Sequence, residues 1–306
     1  MIDYYLRAGK IVHQVLRLAL DIVEPGEEIS SICRRLEDEI FKANARPAFP
    51  INISIDQVAA HDTARINDTR IVPEKGIIKV DVGAHVEGYI ADAAISIPLS
   101  NTRIERELIE ASANALREAI RIFSSNVRLA DIGFAIERAI RSRGFNPIVN
   151  LSGHLINRYR LHAGKSVPNI GNIHMREVVK VGEVYAIEPF TTNGIGEVVA
   201  GDYTTIFRLI GVRRIKRDRV LNELTRIIWK NYDSLPFAER WLYTITNDPL
   251  ISERIRSLER HRIVMGYPIL VERSGGVVAQ FEDTIIVLED RVVNLTKSIE
   301  LLGEVL

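Results

Sequence analysis

Two aspartates sit inside a stretch that is otherwise built to be buried. Residues 76–95 read GIIKVDVGAHVEGYIADAAI, with Ile77, Ile78, Val80 and Val82 leading in and Ile90, Ala93 and Ile95 leading out. The β-branched flanks, joined through His85-Val86-Glu87-Gly88 with a glycine free to take positive φ, predict an antiparallel hairpin. Folding it about Val86–Glu87 sets Asp81 opposite Asp92, a register that a bulge would shift. Opposed residues point to one face with Cβ atoms about 4.5–5.5 Å apart, where like charges repel. Two carboxylates so placed need a proton, a cation or a metal between them. Lys79 would share the face of Asp81 and offers a simpler partner.

With 306 residues the chain suffices for one large domain or two ordinary ones. Its formal net charge of zero provides no overall field to recruit nucleic acid or anionic lipid. No apolar run approaches the length of a membrane span, and the N-terminal MIDYYLRAGK lacks the layout of a signal peptide. A cytoplasmic protein is expected. Cys33 is the single cysteine, which excludes an internal disulfide and any Cys-rich zinc site. Three glutamines and one cysteine, amid abundant Ile, Arg and Glu, lean towards a thermophile.

Helical spacing of apolar residues predicts helices over 4–23 and 28–44, ended by Pro25-Gly26 and by Pro47. Thr102-x-x-Glu105 is a capping box for a helix running to about Phe123, and another helix from about Asp131 closes at Gly144. A short segment around NLSGHLI follows, then strands VYAIEPFTT and VVAQFEDTIIVL. Residues 213–262 differ in kind: helical in pattern, holding both tryptophans, with twelve Lys/Arg against seven Asp/Glu. They are expected to form a helical subdomain inserted into a single catalytic domain, 1–306. Both halves of the chain run helix-then-hairpin, so a structural pseudo-repeat is open. The basic stretch RRIKRDR, 213–219, reads as a solvated face, with the ribosome as an alternative contact.

Three more polar residues interrupt apolar context: His154 in LSGHLI, Glu188 in YAIEPF and Glu282 in AQFEDTIIV. Singly, each reads as an ion-paired or edge residue. Jointly with Asp81 and Asp92 they form an oxygen-rich ligand set suited to a pair of divalent ions such as Mn, Co, Fe or Zn, without the thiolates of a structural zinc site. Such a pair clamps a carbonyl reaction and makes hydroxide near neutral pH. Spacing alone leaves the choice open.

At these residues the sequence resembles the type 2 methionine aminopeptidases of the archaeal, extension-free kind. Those enzymes have the α+β pita-bread fold, shared with aminopeptidase P, prolidase and creatinase. The resemblance runs from AGKI near the start to the last strand, through PAFP, AAHDT, D-x10-D, LSGH, RLHAG, IEPF and AQFE. It implies removal of the initiator methionine from nascent polypeptides by metal-bridged water or hydroxide attacking the scissile carbonyl. It assigns Asp81 to one metal, His154 and Glu188 to the other, and Asp92 and Glu282 to both. Glu188 is also implied as a proton shuttle. His61 of AAHDT and His162 of RLHAG would contact the substrate backbone and help stabilise the tetrahedral intermediate. Phe49 of PAFP and Tyr267 of GYPIL would wall the methionine pocket. A monomer is implied, with no membrane and no specific nucleic-acid partner.

His13, His85, His174 and His261 match no motif position and are expected to be surface or packing residues. Two departures stand out. Asp62 follows His61 where relatives often carry an aromatic or other residue, and would raise the basicity of His61 if it pointed inward. Asp283 follows Glu282 where many relatives have histidine; strand alternation puts it on the opposite face, away from metal.

The 94 residues from Glu188 to Glu282 decide the subtype, since the type 1 enzymes and prolidases join those strands briefly. Two readings compete with the enzyme. A non-catalytic pita-bread protein binding RNA or ribosomes would have lost metal ligands, and all five are present. A prolidase-type dipeptidase would carry a large domain ahead of the first helix, for which the helix starting at residue 4 leaves no room.

Overall fold

The computed structural model describes residues 1–100 and 102–306. Helices α1 (Ile2–Ile22) and α2 (Ile29–Lys42) bury one stripe each: Tyr5, Ala8, Val12, Val15, Leu16 and Ala19 from the first, Ile32, Cys33, Leu36 and Ile40 from the second. These are the i, i+3, i+4 and i+7 positions of an amphipathic helix. Strands β1 (Arg46–Pro47), β2 (Asn52–Ile55) and β3 (Val58–Ala60) follow, then the hairpin of β4 (Ile77–Val86) and β5 (Tyr89–Pro98). α1 lies against both hairpin strands.

The hairpin register differs from the expected one. Glu87 and Gly88 both have positive φ, 52° and 84°, and form the two-residue turn. That conformation matches the strand twist best. Val86 therefore pairs with Tyr89, Gly83 with Asp92, and Asp81 with Ala94. The aspartates are diagonal neighbours, not directly opposed. Because the shift is two residues, they keep a common face.

A second set repeats the first. α3 (Arg103–Ile122) starts at Thr102, whose hydroxyl accepts from the Glu105 N–H while the Glu105 carboxylate accepts from the Thr102 N–H, the expected capping box. α4 (Leu129–Arg141) and β6 (Asn146–Pro147) follow as α2 and β1 follow α1. Bridges Glu28–Ile71 and Arg128–Val178 hold the loops just before α2 and α4 in the same way. The pseudo-repeat is present.

The second half continues with β7 (Ser152–Ile156), β8 (Ser166–Pro168), β9 (Val184–Ile187) and β10 (Phe190–Thr192). β11 (Val198–Leu209) leads to α5 (Arg219–Tyr232), β12 (Phe237–Ala238), α6 (Glu239–Thr246) and α7 (Ile251–Arg260). The chain returns through β13 (Val264–Glu272), β14 (Val278–Gln280), β15 (Asp283–Val287) and β16 (Val292–Asn294), ending in α8 (Leu302–Val305). One sheet runs β16-β15-β9-β7-β8, and β14-β10-β6 forms a second. The three helices α5–α7 lie within 213–262, and their Leu221, Ile228, Leu242, Ile255 and Leu258 form one apolar cluster with Phe207, Leu209 and Val264 of β11 and β13. They are carried by the long antiparallel pair β11–β13, whose last partners are Leu209 and Val264.

Candidate metal centre

The two expected strands that carry the glutamates are each broken at the glutamate. β9 ends at Ile187 and β10 begins at Phe190; β14 ends at Gln280 and β15 begins at Asp283. Ile187 pairs with Asp283 and Phe190 with Gln280, so the register is unchanged across the break and Glu188 falls opposite Glu282. Pro189 has no N–H to give to a ladder. The buried Ser112 of α3 fills the gap, accepting from the Phe281 N–H (2.8 Å) and donating to the Pro189 carbonyl (2.8 Å). Released from β10, Glu282 turns its backbone to β5: its N–H donates to the Ala94 carbonyl (3.0 Å) and its carbonyl accepts from the Ala94 N–H (3.3 Å). Two residues away, Thr284 Oγ1 accepts from the Asp92 N–H (2.8 Å) and donates to the Asp92 carbonyl (2.7 Å). This seam brings together side chains from opposite ends of the chain.

Asp92, His154 and Glu282 are buried and offer ligand atoms all within 4.8 Å of one another. His154, on β7, has Nε2 3.5 Å from Asp92 Oδ2 and 3.6 Å from Glu188 Oε1, too far for good hydrogen bonds. Ligands about 2.1 Å from a common cation stand roughly 3–3.5 Å apart, close to this spacing. Asp81 Oδ1, Asp92 Oδ1 and Glu282 Oε1 are buried without a hydrogen-bond partner. Buried carboxylate oxygens are costly in that state unless a cation takes them. Gln280 Nε2 donates to the other Glu282 oxygen (2.9 Å), fixing the carboxylate plane.

Protonation follows from the crowding. Burial first, then the charge of Asp92, holds Asp81 well above the usual carboxylate range. Burial pushes Asp92 up to about 7. Glu188 and Glu282 are raised well above their ordinary value by burial and then by the neighbouring carboxylates. Burial lowers His154 to about 4, leaving a neutral imidazole, the form that ligates metal. Four acids that resist ionising together, beside an imidazole that resists protonation, fit divalent cations by their donor chemistry.

The same five residues line a cavity of about 70 Å³ together with Phe49, His61, His162 and Tyr267, so the candidate ligand and substrate residues share one wall. Phe49 is buried against Gly83, the cross-strand partner of Asp92. The His162 ring lies 4.4 Å from that of His154 and 6.2 Å from that of Tyr267. The enclosure of its ring, then His154, His61 and Arg208 nearby, disfavour its charged form. His61 meets Tyr267 edge-on at 5.3 Å, and its Nδ1 lies 3.2 Å from the Pro268 carbonyl. A carbonyl only accepts, so Nδ1 carries the proton and Nε2 is left as an acceptor.

Three expectations need correcting or closing. Asp62 does not raise the basicity of His61: its Oδ2 is taken by Arg70 Nη1 (2.8 Å) and the Tyr203 hydroxyl (2.9 Å), and burial lowers the His61 pKa. Lys79 does not pair with Asp81, because its amine donates to the carbonyls of Asp56 and Val278 (2.9 Å each). Asp283 does point away from the ligands, bonded by Thr296, Asn294 and the Ser298 N–H. Of the unplaced histidines, His85 is buried and accepts from the Gly88 N–H, and His13 bonds the Thr296 carbonyl. His174 and His261 are exposed.

Sequence reading missed Asn52, Leu161, Phe190, Ile206 and Pro236 in the cavity wall. Asn52 pairs with Asp81 across β2–β4 and keeps a buried, unpartnered Oδ1. An asparagine within an apolar strand (INISI) was the available signal.

A buried, oxygen-rich donor set gathered from two pseudo-repeated halves of a mixed helix-and-sheet fold is the arrangement of a metallopeptidase of the pita-bread type. The pattern of metallopeptidase family M24 matches residues 3–289, and the chain belongs to that family. It groups there with methionine aminopeptidases. The methionine aminopeptidase of Pyrococcus horikoshii is 40% identical over 296 residues, 97% of this chain and 99% of that protein. That of Saccharolobus solfataricus is 42% identical over 296 residues, 96% and 97% of the two chains. Among solved structures, the methionine aminopeptidase of Thermotoga maritima superposes with a TM-score of 0.70 at 23% identity, covering 97% of this chain and 96% of that one. A thermophilic Arx1 superposes at 0.82 with 16% identity, covering 96% and 90%. At such identities these two likenesses speak for the fold alone.

Proposed function

We propose that this protein removes the N-terminal methionine of nascent polypeptides, using two divalent cations held by Asp81, Asp92, His154, Glu188 and Glu282. The observation that carries the dinuclear reading is the set of unpartnered carboxylate oxygens of Asp81, Asp92 and Glu282, buried around one cavity. Asp81 would hold one cation and His154 and Glu188 the other, with Asp92 and Glu282 contributing to both. Cobalt, manganese, iron or zinc all suit such ligands. Bound there, the cations supply Lewis acidity towards a carbonyl oxygen and lower the pKa of water.

The chain's own residues do the rest. Phe49 and Tyr267 wall an apolar pocket for the methionine side chain. His61 offers Nε2 to a substrate backbone N–H, and His162 offers a ring N–H to the carbonyl oxygen as it gains charge. Glu188, in the cavity wall beside His154, is placed to take and return a proton.

A monomer acting in the cytoplasm completes the proposal, in keeping with the resemblance; no helix among the described residues is long and apolar enough to cross a membrane. Arg213, Arg214, Lys216, Arg217 and Arg219 form an exposed basic face that ribosomal RNA phosphates would attract where the substrate emerges. Cleavage of a Met-Ala-Ser peptide, with and without chelator, tests the activity. Release of methionine that chelation abolishes is expected; no release from the cation-loaded protein would overturn it.

A further inference from the structure

His61 stands in a backbone conformation that its side chain does not favour. Its φ is +66°, the left-handed region that residues with a Cβ rarely visit. The strand leading to it, β3, is three residues long, with Ala60 and Val58 paired irregularly to β13. So short an edge strand is a weak hold on a catalytic side chain. The next residue supplies what is missing. Asp62 is 3% exposed; its carbonyl accepts from the Ile53 N–H (2.7 Å), and its Oδ2 accepts from Arg70 and Tyr203. Arg70 is itself held by Asp68 (2.7 Å) and by the Thr63 carbonyl (3.0 Å). Tyr203 comes from β11, where the pairing with β13 is irregular between Ala200 and Ile206, and Arg65 lies 3.6 Å over its ring.

We propose that Asp62, clamped by Arg70 and Tyr203, is a positioning residue that holds His61 in its left-handed backbone conformation, with Nδ1 on the Pro268 carbonyl and Nε2 towards the substrate. The device acts through geometry and leaves the charge state of His61 alone. It also ties His61 to β11, one of the two strands that carry α5–α7. The proposal rests on the substrate role given to His61 above.

A double-mutant cycle tests it, using the cation-loaded protein and the Met-Ala-Ser peptide. Asp62→Ala is expected to lower kcat about tenfold, since small misplacements of a catalytic group are costly, with cation content unchanged. In a His61→Ala background the same change is expected to cost little further, because the residue it positions is gone. Tyr203→Phe keeps the ring under Arg65 and removes only the hydroxyl, serving if Asp62→Ala does not fold. A nitrogen-detected NMR spectrum of the histidines supplies a readout independent of activity: Nδ1–H dominates for His61 in the wild type, and a mixture of tautomers is expected in either clamp variant. Equal losses with and without His61 would reduce Asp62 to structural glue and overturn the proposal. So would an unchanged His61 tautomer, or a fully active His61→Ala enzyme. If the wild type releases no methionine, the functional reading fails, and the tautomer spectrum still decides the clamp.

Discussion

Glu188 and Glu282 face each other across a common break in one antiparallel ladder, and Ser112 occupies the break. Two glutamates from different strands are thereby set opposite one another without either strand losing register. Ser112→Ala removes both of its bonds and leaves the Phe281 N–H and the Pro189 carbonyl unpaired in the core. The expected cost is about 2–4 kcal/mol in urea unfolding of the metal-free protein, since each unsatisfied buried group costs about 1–3 kcal/mol. A change within about 0.5 kcal/mol, the size of an ordinary surface substitution, would show that the gap is not held by Ser112.

The roles proposed for Glu282, cation ligand, and His162, substrate contact, predict different outcomes in two variants. Glu282→Ala removes a carboxylate assigned to both cations and should cost at least one of them. His162→Ala should keep both and lose roughly 10²–10³ in kcat, as for other oxyanion donors. Metal analysis and kinetics on the two variants check this. Loss of cations from His162→Ala with full occupancy in Glu282→Ala would invert the assignment.

Gly83 stands opposite Asp92 and two residues from Asp81, where nothing larger fits. A Cβ there would collide with the Phe49 ring. Gly83→Ala should push Phe49 out of the wall, raising KM for methionyl peptides and destabilising the protein by about 1–3 kcal/mol, the usual range for overpacking. An unaltered KM would remove Phe49 from the methionine pocket.

Replacing residues 213–262 by a short turn should leave the cations in place, because Leu209 and Val264 already close the β11–β13 ladder. It should change substrate range, because Pro236 lines the cavity. Metal analysis and a panel of methionyl peptides give both answers. Loss of the cations would mean that the segment holds the last strands in register.

What was legible in the chain was local. The capping box at Thr102 and Glu105 names its own geometry, and the helical stripes of α1 and α2 are periodic enough to place their ends within a few residues. The hairpin register was missed by two positions because only Gly88 advertises positive φ, while Glu87 adopts it without a sequence signal. β11 and β13 were missed because Asp202, Tyr203 and Thr204 leave the strand half-exposed and irregular, blurring its alternation. The five candidate ligand residues stood out as polar interruptions of apolar runs, and the motif resemblance is the source of the roles proposed for them. Their second layer did not stand out. Ser112, Thr284 and the Asp62–Tyr203 bond depend on contacts between distant segments, and no spacing rule encodes those.

Cation stoichiometry tests the centre most directly. Metal-stripped protein titrated calorimetrically with Mn or Co should bind two equivalents, the second more weakly because Asp92 and Glu282 are shared, with methionine release returning as the site fills. Full activity in a verified metal-free preparation, or no binding beyond one equivalent, would contradict a dinuclear centre built from Asp81, Asp92, His154, Glu188 and Glu282.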